Sequence, residues 1–271
     1  MKRLMTAILT LTLFLAFSSF AMAAVYNMTV YADQATGVIG VNGDYPLAQT
    51  SGSSWSADNS AYKAEWGLDA STLFGRTVTL SDVVGMSYWT KKPTSHVEQA
   101  PDWYFHFYTT PFENSPGSAW YGYRLNTEPY FSANLNENVN EWNQWAIGGQ
   151  NDTNALRFFD SSSSNYWGSY TDPLWEEFLT QTGLGDRVYG DQELLSIAMA
   201  TGSGWNADFY GLLDGLSISV KNIDITGAPI VDTYNINFEA AAVPTPEPSS
   251  FLLLLAGLGG FGFMLHRRNK A

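Results

Sequence analysis

The amino-acid sequence predicts a mainly β fold: a jelly-roll-type β-sandwich with one or two short helices, flanked by an N-terminal signal helix and a C-terminal transmembrane helix. Three observations lead there. The composition is aromatic and poor in charge, apolar and polar residues alternate in many short segments, and only one stretch of the central region carries clear helix signals.

Aromatic residues make up 15% of the 271 and charged residues 14%, with 24 Gly and 11 Pro. Soluble domains average about 25% charged residues, so this surface relies on Ser, Thr, Asn and Gln. Such a mix suits short strands joined by tight turns. Alternation predicts strands at Tyr26–Ala32, Val83–Thr90, Trp103–Thr109, Trp120–Leu125, Trp142–Ile147, Ala155–Phe159, Leu195–Thr201, Leu213–Val220 and Thr233–Phe238. In the third, Trp103, Phe105 and Phe107 face one side and Tyr104, His106 and Tyr108 the other, which is period two. In the eighth, Leu216, Ile218 and Val220 alternate with Ser217 and Ser219, giving one buried and one wet face. The Ser/Gly-rich stretch Ser51–Ser60 and the serine run Ser161–Ser164 read as loops.

The helix is expected near Pro173. Asp172 is placed to cap it, Pro173 suits its first position, and Glu176 and Glu177 favour its positive end. Leu174, Trp175, Phe178 and Leu179 supply an apolar face, and Gly183 suits the stop. One helix among strands at this spacing argues for two packed sheets.

With no Cys, the chain has no disulfide, no thiol catalysis and no Cys-ligated zinc. Between Val25 and Ala240 stand eight Lys and Arg against 25 Asp and Glu, a net charge of −17. A domain so acidic repels phosphate backbones and anionic headgroups, so nucleic acid is excluded as a partner. No strong internal repeat or linker divides 24–242, so one domain is expected there.

Residues 1–23 read as a secretory signal. Lys2 and Arg3 start it, Leu4–Phe20 is apolar, and Ala21-Met22-Ala23 fits the small-x-small rule, so Ala21 and Ala23 mark the signal peptidase cut. Residues 243–271 divide into a motif and linker at 243–250, an apolar segment at 251–265 and a basic tail at 266–271. Clustered prolines keep the first part extended and accessible. Phe251–Leu265 carries no charge and lies at the short edge of what spans a bilayer. Gly257, Gly259, Gly260 and Gly262 permit close packing in a membrane. Arg267, Arg268 and Lys270 follow the positive-inside rule, leaving the body of the protein outside the cytoplasm.

Val243-Pro244-Thr245-Pro246-Glu247-Pro248-Ser249, the glycine-bearing apolar segment and the Arg-rich end together resemble the PEP-CTERM sorting signal of exported proteins in Gram-negative bacteria, many of which make exopolysaccharide. The resemblance covers about the last 29 residues. It implies recognition by an exosortase, a membrane-embedded cysteine peptidase, with Pro246, Glu247 and Pro248 as motif residues and the cut near them. On this reading the membrane is met only through the C-terminal helix, before processing, and the protein ends at the cell surface or in the extracellular matrix. Gly202–Ile218 with Thr233–Glu239 resembles the end of concanavalin-A-like or carbohydrate-binding jelly-roll domains over about 40 residues.

Catalytic patterns are scarce. No Glu-x-Asp-x-Glu strand, Gly-x-Ser-x-Gly elbow, His-Glu-x-x-His site or phosphate-cradling glycine loop is present. The adjacent pair Glu176-Glu177 does not share a helix face and is explained by the helix start. His106 is expected as a hydrogen-bonded residue among the aromatics of its strand, and His96 as a loop residue. No catalytic residue and no cofactor are assigned.

Two features suit binding. Trp103, Trp120, Tyr121, Tyr123 and Trp142 are candidate contacts for a glycan, because sugar C–H faces stack on aromatic rings. Asn151, Asp152 and Asn154 offer oxygens in a turn, of the kind Ca²⁺ takes, outside any recognised Ca²⁺ loop. The sequence therefore points to an exported, exosortase-sorted, non-enzymatic β-sandwich with a structural or adhesive role. A glycan-binding module for exopolysaccharide and a divergent polysaccharide hydrolase are the alternatives.

Overall fold

A computed structural model describes residues 23–42, 46, 52–58, 63–92, 102–110, 124–161, 168–183, 186–202, 209–224 and 227–240. Among them two sheets enclose one core. The strands are β1 (Val25–Tyr31), β2 (Gly40–Asn42), β3 (Ser54–Asp58), β4 (Glu65–Asp69), β5 (Val83–Lys91), β6 (Tyr104–Thr109), β7 (Arg124–Thr127), β8 (Asn143–Ala146), β9 (Phe159–Asp160), β10 (Leu194–Ala200), β11 (Tyr210–Ile223) and β12 (Pro229–Glu239). Two short helices, α1 (Ala70–Phe74) and α2 (Trp175–Thr180), join them.

The long strand β11 organises the seven-stranded sheet. One edge pairs β5 over Leu212–Val220, and β5 continues to β8. The other edge is shared, with β3 against Tyr210–Leu213 and β12 against Leu216–Ile223. Asp214 lies at that junction, fully buried. Its Oδ1 accepts the Gly215 N–H at 2.7 Å and the Phe238 N–H at 3.2 Å, so backbone donors at the break are satisfied. Gly215 turns at φ +63°, a region that favours glycine. β1 pairs β12 in parallel, so the strand following Ala23 lies beside the strand preceding Ala240.

The five-stranded sheet runs β4-β10-β6-β7-β9, antiparallel throughout. Its inner face carries Trp66, Ile197, Met199, Phe105, Phe107 and Leu125, all in the core. The facing sheet contributes Trp55, Tyr88, Trp145, Ile218, Ile236 and Phe238. Trp66 meets Phe238 edge-on across the two sheets at 5.5 Å, and the Tyr88 hydroxyl donates to the Trp103 carbonyl at 3.2 Å. Each fully buried large side chain stabilises the fold by about 1.5–3 kcal/mol. Core aromatics thus replace the absent disulfides.

Several expectations need correction. Ser51–Ser60 is not all loop: Ser54–Asp58 is a strand, with Trp55 and Ala57 in the core and Ser54 and Ser56 buried under neighbouring strands. β4 was unexpected because Gly67 interrupts its pattern and both its ends are acidic. Asp172 does not cap α2. Its carboxylate accepts the Ser169 N–H at 2.6 Å, and Arg157 holds its carbonyl at 2.5 Å, so the chain turns inward only at Leu174, the residue at the cap. The helix stops at Thr180, before Gly183. Ala155–Phe159 forms isolated bridges with a strand only at Phe159–Asp160, and 120–123 lie outside the described residues. The signal helix and the 251–265 segment also lie outside them; among the described residues no helix is long and apolar enough to cross a membrane.

Candidate functional site

Alternation sends every second residue of the five-stranded sheet away from the core. Register then aligns these residues in rows across the outer face: Asp69, Ser196, Tyr108 and Arg124; Gly67, Ala198, His106 and Asn126; Glu65, Ala200 and Tyr104. The rows mix large and small residues. Where Gly67, Ser196 and Ala198 meet, missing side-chain volume leaves a cleft of about 440 Å³, lined also by Glu65, Asp69 and Tyr108. That volume is in the range of small-ligand sites, about 300–1,000 Å³. A Cβ on Gly67 would stand 3.2 Å from the Ile197 carbonyl oxygen and 3.6 Å from the Ala198 Cβ, so the glycine keeps the floor low.

The cleft presents polar and apolar surface in about equal measure. Glu65 is held by Lys63 at 2.8 Å, and Tyr108 sets an aromatic ring beside Ser196. Glu65 and Asp69 are four residues apart on one strand, about 13 Å along it at ~3.3 Å per residue. Paired glycosidase carboxylates stand about 5–10 Å apart, so these two suit separate hydrogen bonds to a ligand better than joint attack on one bond.

His106 stands one row position from the cleft, across from Ala198, with 1% exposure. The expectation of a hydrogen-bonded histidine is met only loosely: among the described residues neither ring nitrogen has a hydrogen bond of good geometry, and the Asn126 side chain is its one close polar neighbour there. Asn126, its neighbour on β7, is close enough to favour the protonated form slightly, but its amide nitrogen donates to Ser161 Oγ. Burial, then the charges of Arg124 and Lys63, push the imidazole well below its usual range, so the ring is neutral at physiological pH. The rings of Tyr104 and Tyr108 flank it at 4.6 and 5.9 Å.

A second polar group lies on the other sheet. Lys92 and Glu137 form a 2.5 Å ion pair with side chains 1% and 4% exposed. Nearby, Asp102 accepts the Trp103 N–H at 2.7 Å and the Thr90 hydroxyl at 2.5 Å, and Thr90 in turn accepts the Trp145 indole N–H at 2.6 Å. Burial raises the Asp102 carboxyl to about 7. Glu137 adds to the rise, while Lys92 and the two hydrogen bonds oppose it. This network ties β5, β8 and the approach to β6 together and is sealed from solvent.

The residues expected from sequence fall elsewhere. Trp103 is fully buried and donates its indole N–H to the Gly211 carbonyl at 3.1 Å, which makes it a core residue. Trp142 is half-buried at the start of β8. Trp120, Tyr121, Tyr123, His96, Ala21, Pro246, Glu247 and Pro248 lie outside the described residues, and Ala23 is exposed. In the 148–155 turn, Asp152 Oδ2 accepts the Gly149 N–H at 2.6 Å. Asn154 Oδ1 accepts the Asn136 N–H at 2.7 Å, with Asn154 at φ +56°. These oxygens hold the turn against 134–136; Asn151 is exposed beside them. Among the described residues no group of three or more His, Asp or Glu is placed to hold a metal ion.

No curated protein and no solved structure matches the chain. One family motif does: the PEP-CTERM protein-sorting motif, over residues 244–268. The chain thus carries a PEP-CTERM sorting motif, which covers those residues and leaves the sandwich unassigned.

Proposed function

We propose that the chain is an exported protein, sorted by an exosortase to the cell surface or extracellular matrix, whose jelly-roll-type sandwich has a structural or adhesive role without catalysis. The observation that supports sorting is the motif over 244–268, which takes in the prolines, the apolar segment 251–265 and Arg267 and Arg268 of the basic tail. Signal peptidase acts at one end and exosortase at the other, and the C-terminal helix is a transient anchor. One aspect of the domain favours a non-enzymatic role: the acidic pair of the cleft is widely spaced along its strand. Deleting Phe251–Ala271 tests the sorting: the truncated protein should pass freely into the medium or periplasm, and unchanged surface retention would refute the proposal.

The cleft favours glycan binding as a second reading. It offers two carboxylates, a serine hydroxyl and one aromatic ring over a floor of small residues, which suits a neutral hydroxyl-rich ligand more than an anionic one. Affinity electrophoresis against the producer's own exopolysaccharide decides it. Retardation should be lost in Tyr108→Ala and Gly67→Val, while Trp142→Ala, away from the cleft, should leave it unchanged. Equal migration of wild type with and without polysaccharide would end this reading.

A further inference from the structure

Asp232 of β12 is 2% exposed, and its two oxygens are both occupied. Oδ2 accepts the Asn222 side-chain amide at 2.6 Å, and Oδ1 accepts the Ala24 main-chain N–H at 3.0 Å. Among the described residues it has no ion pair, although a buried carboxylate ordinarily requires a counter-charge. The charged and titratable groups that bear on this corner are Arg76, Lys221 beside the pair on β11, Tyr26 and Tyr234. Arg76 is spent on Asp82 and the Lys221 carbonyl, and Lys221 donates to the Ser81 carbonyl at 3.0 Å. Burial, then the Asp232 charge, raises the Tyr234 phenol, which stays neutral.

The nitrogen facing Asp232 belongs to the residue that follows Ala21-Met22-Ala23. Ala23 is exposed, and Ala24 is half-buried with its carbonyl accepting the Thr233 N–H at 2.8 Å. We infer that Asp232 is the acceptor for the N-terminus created when the signal is removed. This rests on cleavage between Ala23 and Ala24. Water, under signal peptidase, adds its hydroxyl to the Ala23 carbonyl carbon and its remaining proton to the Ala24 nitrogen as the C–N bond breaks; the new Ala23 carboxylic acid gives up a proton, and the amine takes one up to become –NH₃⁺. The hydrogen bond already in place becomes an ion pair, and Asp232 acquires the counter-charge that the precursor lacks. Because Ala24 leads directly into β1, whose strand partner is β12, the new pair pins the outer strand of the sheet at its start. Removal of the signal thus completes the fold as well as releasing the protein.

The sign of the pH dependence follows. An α-amino group titrates near 7.7–8.0 when free, at about that value in the unfolded chain. Pairing raises the folded value, so the stabilisation is complete below about 7.7 and is lost as pH rises through the folded value. A rise of about one unit corresponds to about tenfold in the unfolding equilibrium constant.

The test begins with N-terminal sequencing of the exported protein. Urea unfolding then compares the mature chain starting at Ala24, the same chain with one added glycine, and the N-acetylated chain, each with and without Asp232→Asn. A start at Ala24, with about tenfold tighter folding of the free-amine chain at pH 7, is expected. That advantage should vanish near pH 10 and in Asp232→Asn. If Asp232→Asn fails to fold, the free and acetylated wild-type chains decide alone. A start at another residue would overturn the cleavage assignment. A start at Ala24 with three chains of equal stability would overturn the ion pair itself.

Discussion

Replacing Asp102 with Asn should change how stability depends on pH. Asp102 is 3% exposed and shares its corner with the buried Lys92–Glu137 pair. Burial is the largest influence on its carboxyl, which is raised to about 7. In the unfolded chain the group titrates near 3.9, so between about pH 4 and 7 the folded protein keeps a proton that the unfolded chain has released. Stability from this group therefore falls as pH rises across that window. The slope is at most one proton, about 1.4 kcal/mol per pH unit, and three units set an upper bound of about 4 kcal/mol. Asn cannot titrate but still accepts one of the two hydrogen bonds from Thr90 and Trp103. Urea unfolding of wild type and Asp102→Asn at half-unit steps from pH 4 to 8 measures the difference curve, in which the background of some two dozen other carboxylates largely cancels. Wild type should lose stability relative to the variant as pH rises toward 7. A flat difference, or one of opposite sign, would refute a raised carboxyl at this position.

Other expectations concern the core and the cleft. Phe238 touches Trp55 at 4.6 Å and Trp66 at 5.5 Å, joining both sheets, so Phe238→Ala should cost about 3–5 kcal/mol in chemical denaturation; a loss below about 1 kcal/mol would contradict the sheet packing. Gly67→Val should fill the cleft floor and abolish glycan retardation while costing less than about 2 kcal/mol, since β-branched residues suit an exposed strand face. Loss of both binding and folding in this variant would leave the cleft without support.

Much of the architecture could be read in advance from period two. β5, β12 and the second half of β11 alternate buried apolar residues with more exposed ones. β6 and β10 alternate large core residues with polar-tipped or small ones although both faces are largely buried, and the structure forms all five within a few residues of expectation. β2, β3 and β4 could not be seen this way. Ser54 and Ser56 alternate with Trp55 and Ala57 but are themselves buried, and Gly67 carries no side chain to show its face. The cleft was hidden for a different reason. Glu65, Gly67 and Asp69 lie about 130 residues from Ser196 and Ala198 in sequence, and only the β4–β10 register brings them together. A trace of it exists in Leu195-Ser196-Ile197-Ala198-Met199-Ala200, where small residues alternate with large ones and leave one face of the strand low. The aromatic candidates misled in one instance, because Trp103 is large enough to be claimed by the core. The sorting motif was legible because its signal is contiguous in sequence: prolines, an apolar run and basic residues follow one another in chain order.

The intact mass of the protein recovered from the surface or medium of its native host tests the account most directly. A mass corresponding to a chain that starts at Ala24 and ends near Pro246–Pro248 is expected, with any added group on the new C-terminus visible as a mass increment. A mature protein that still carries Phe251–Ala271 would contradict exosortase processing and leave an ordinary membrane anchor in its place.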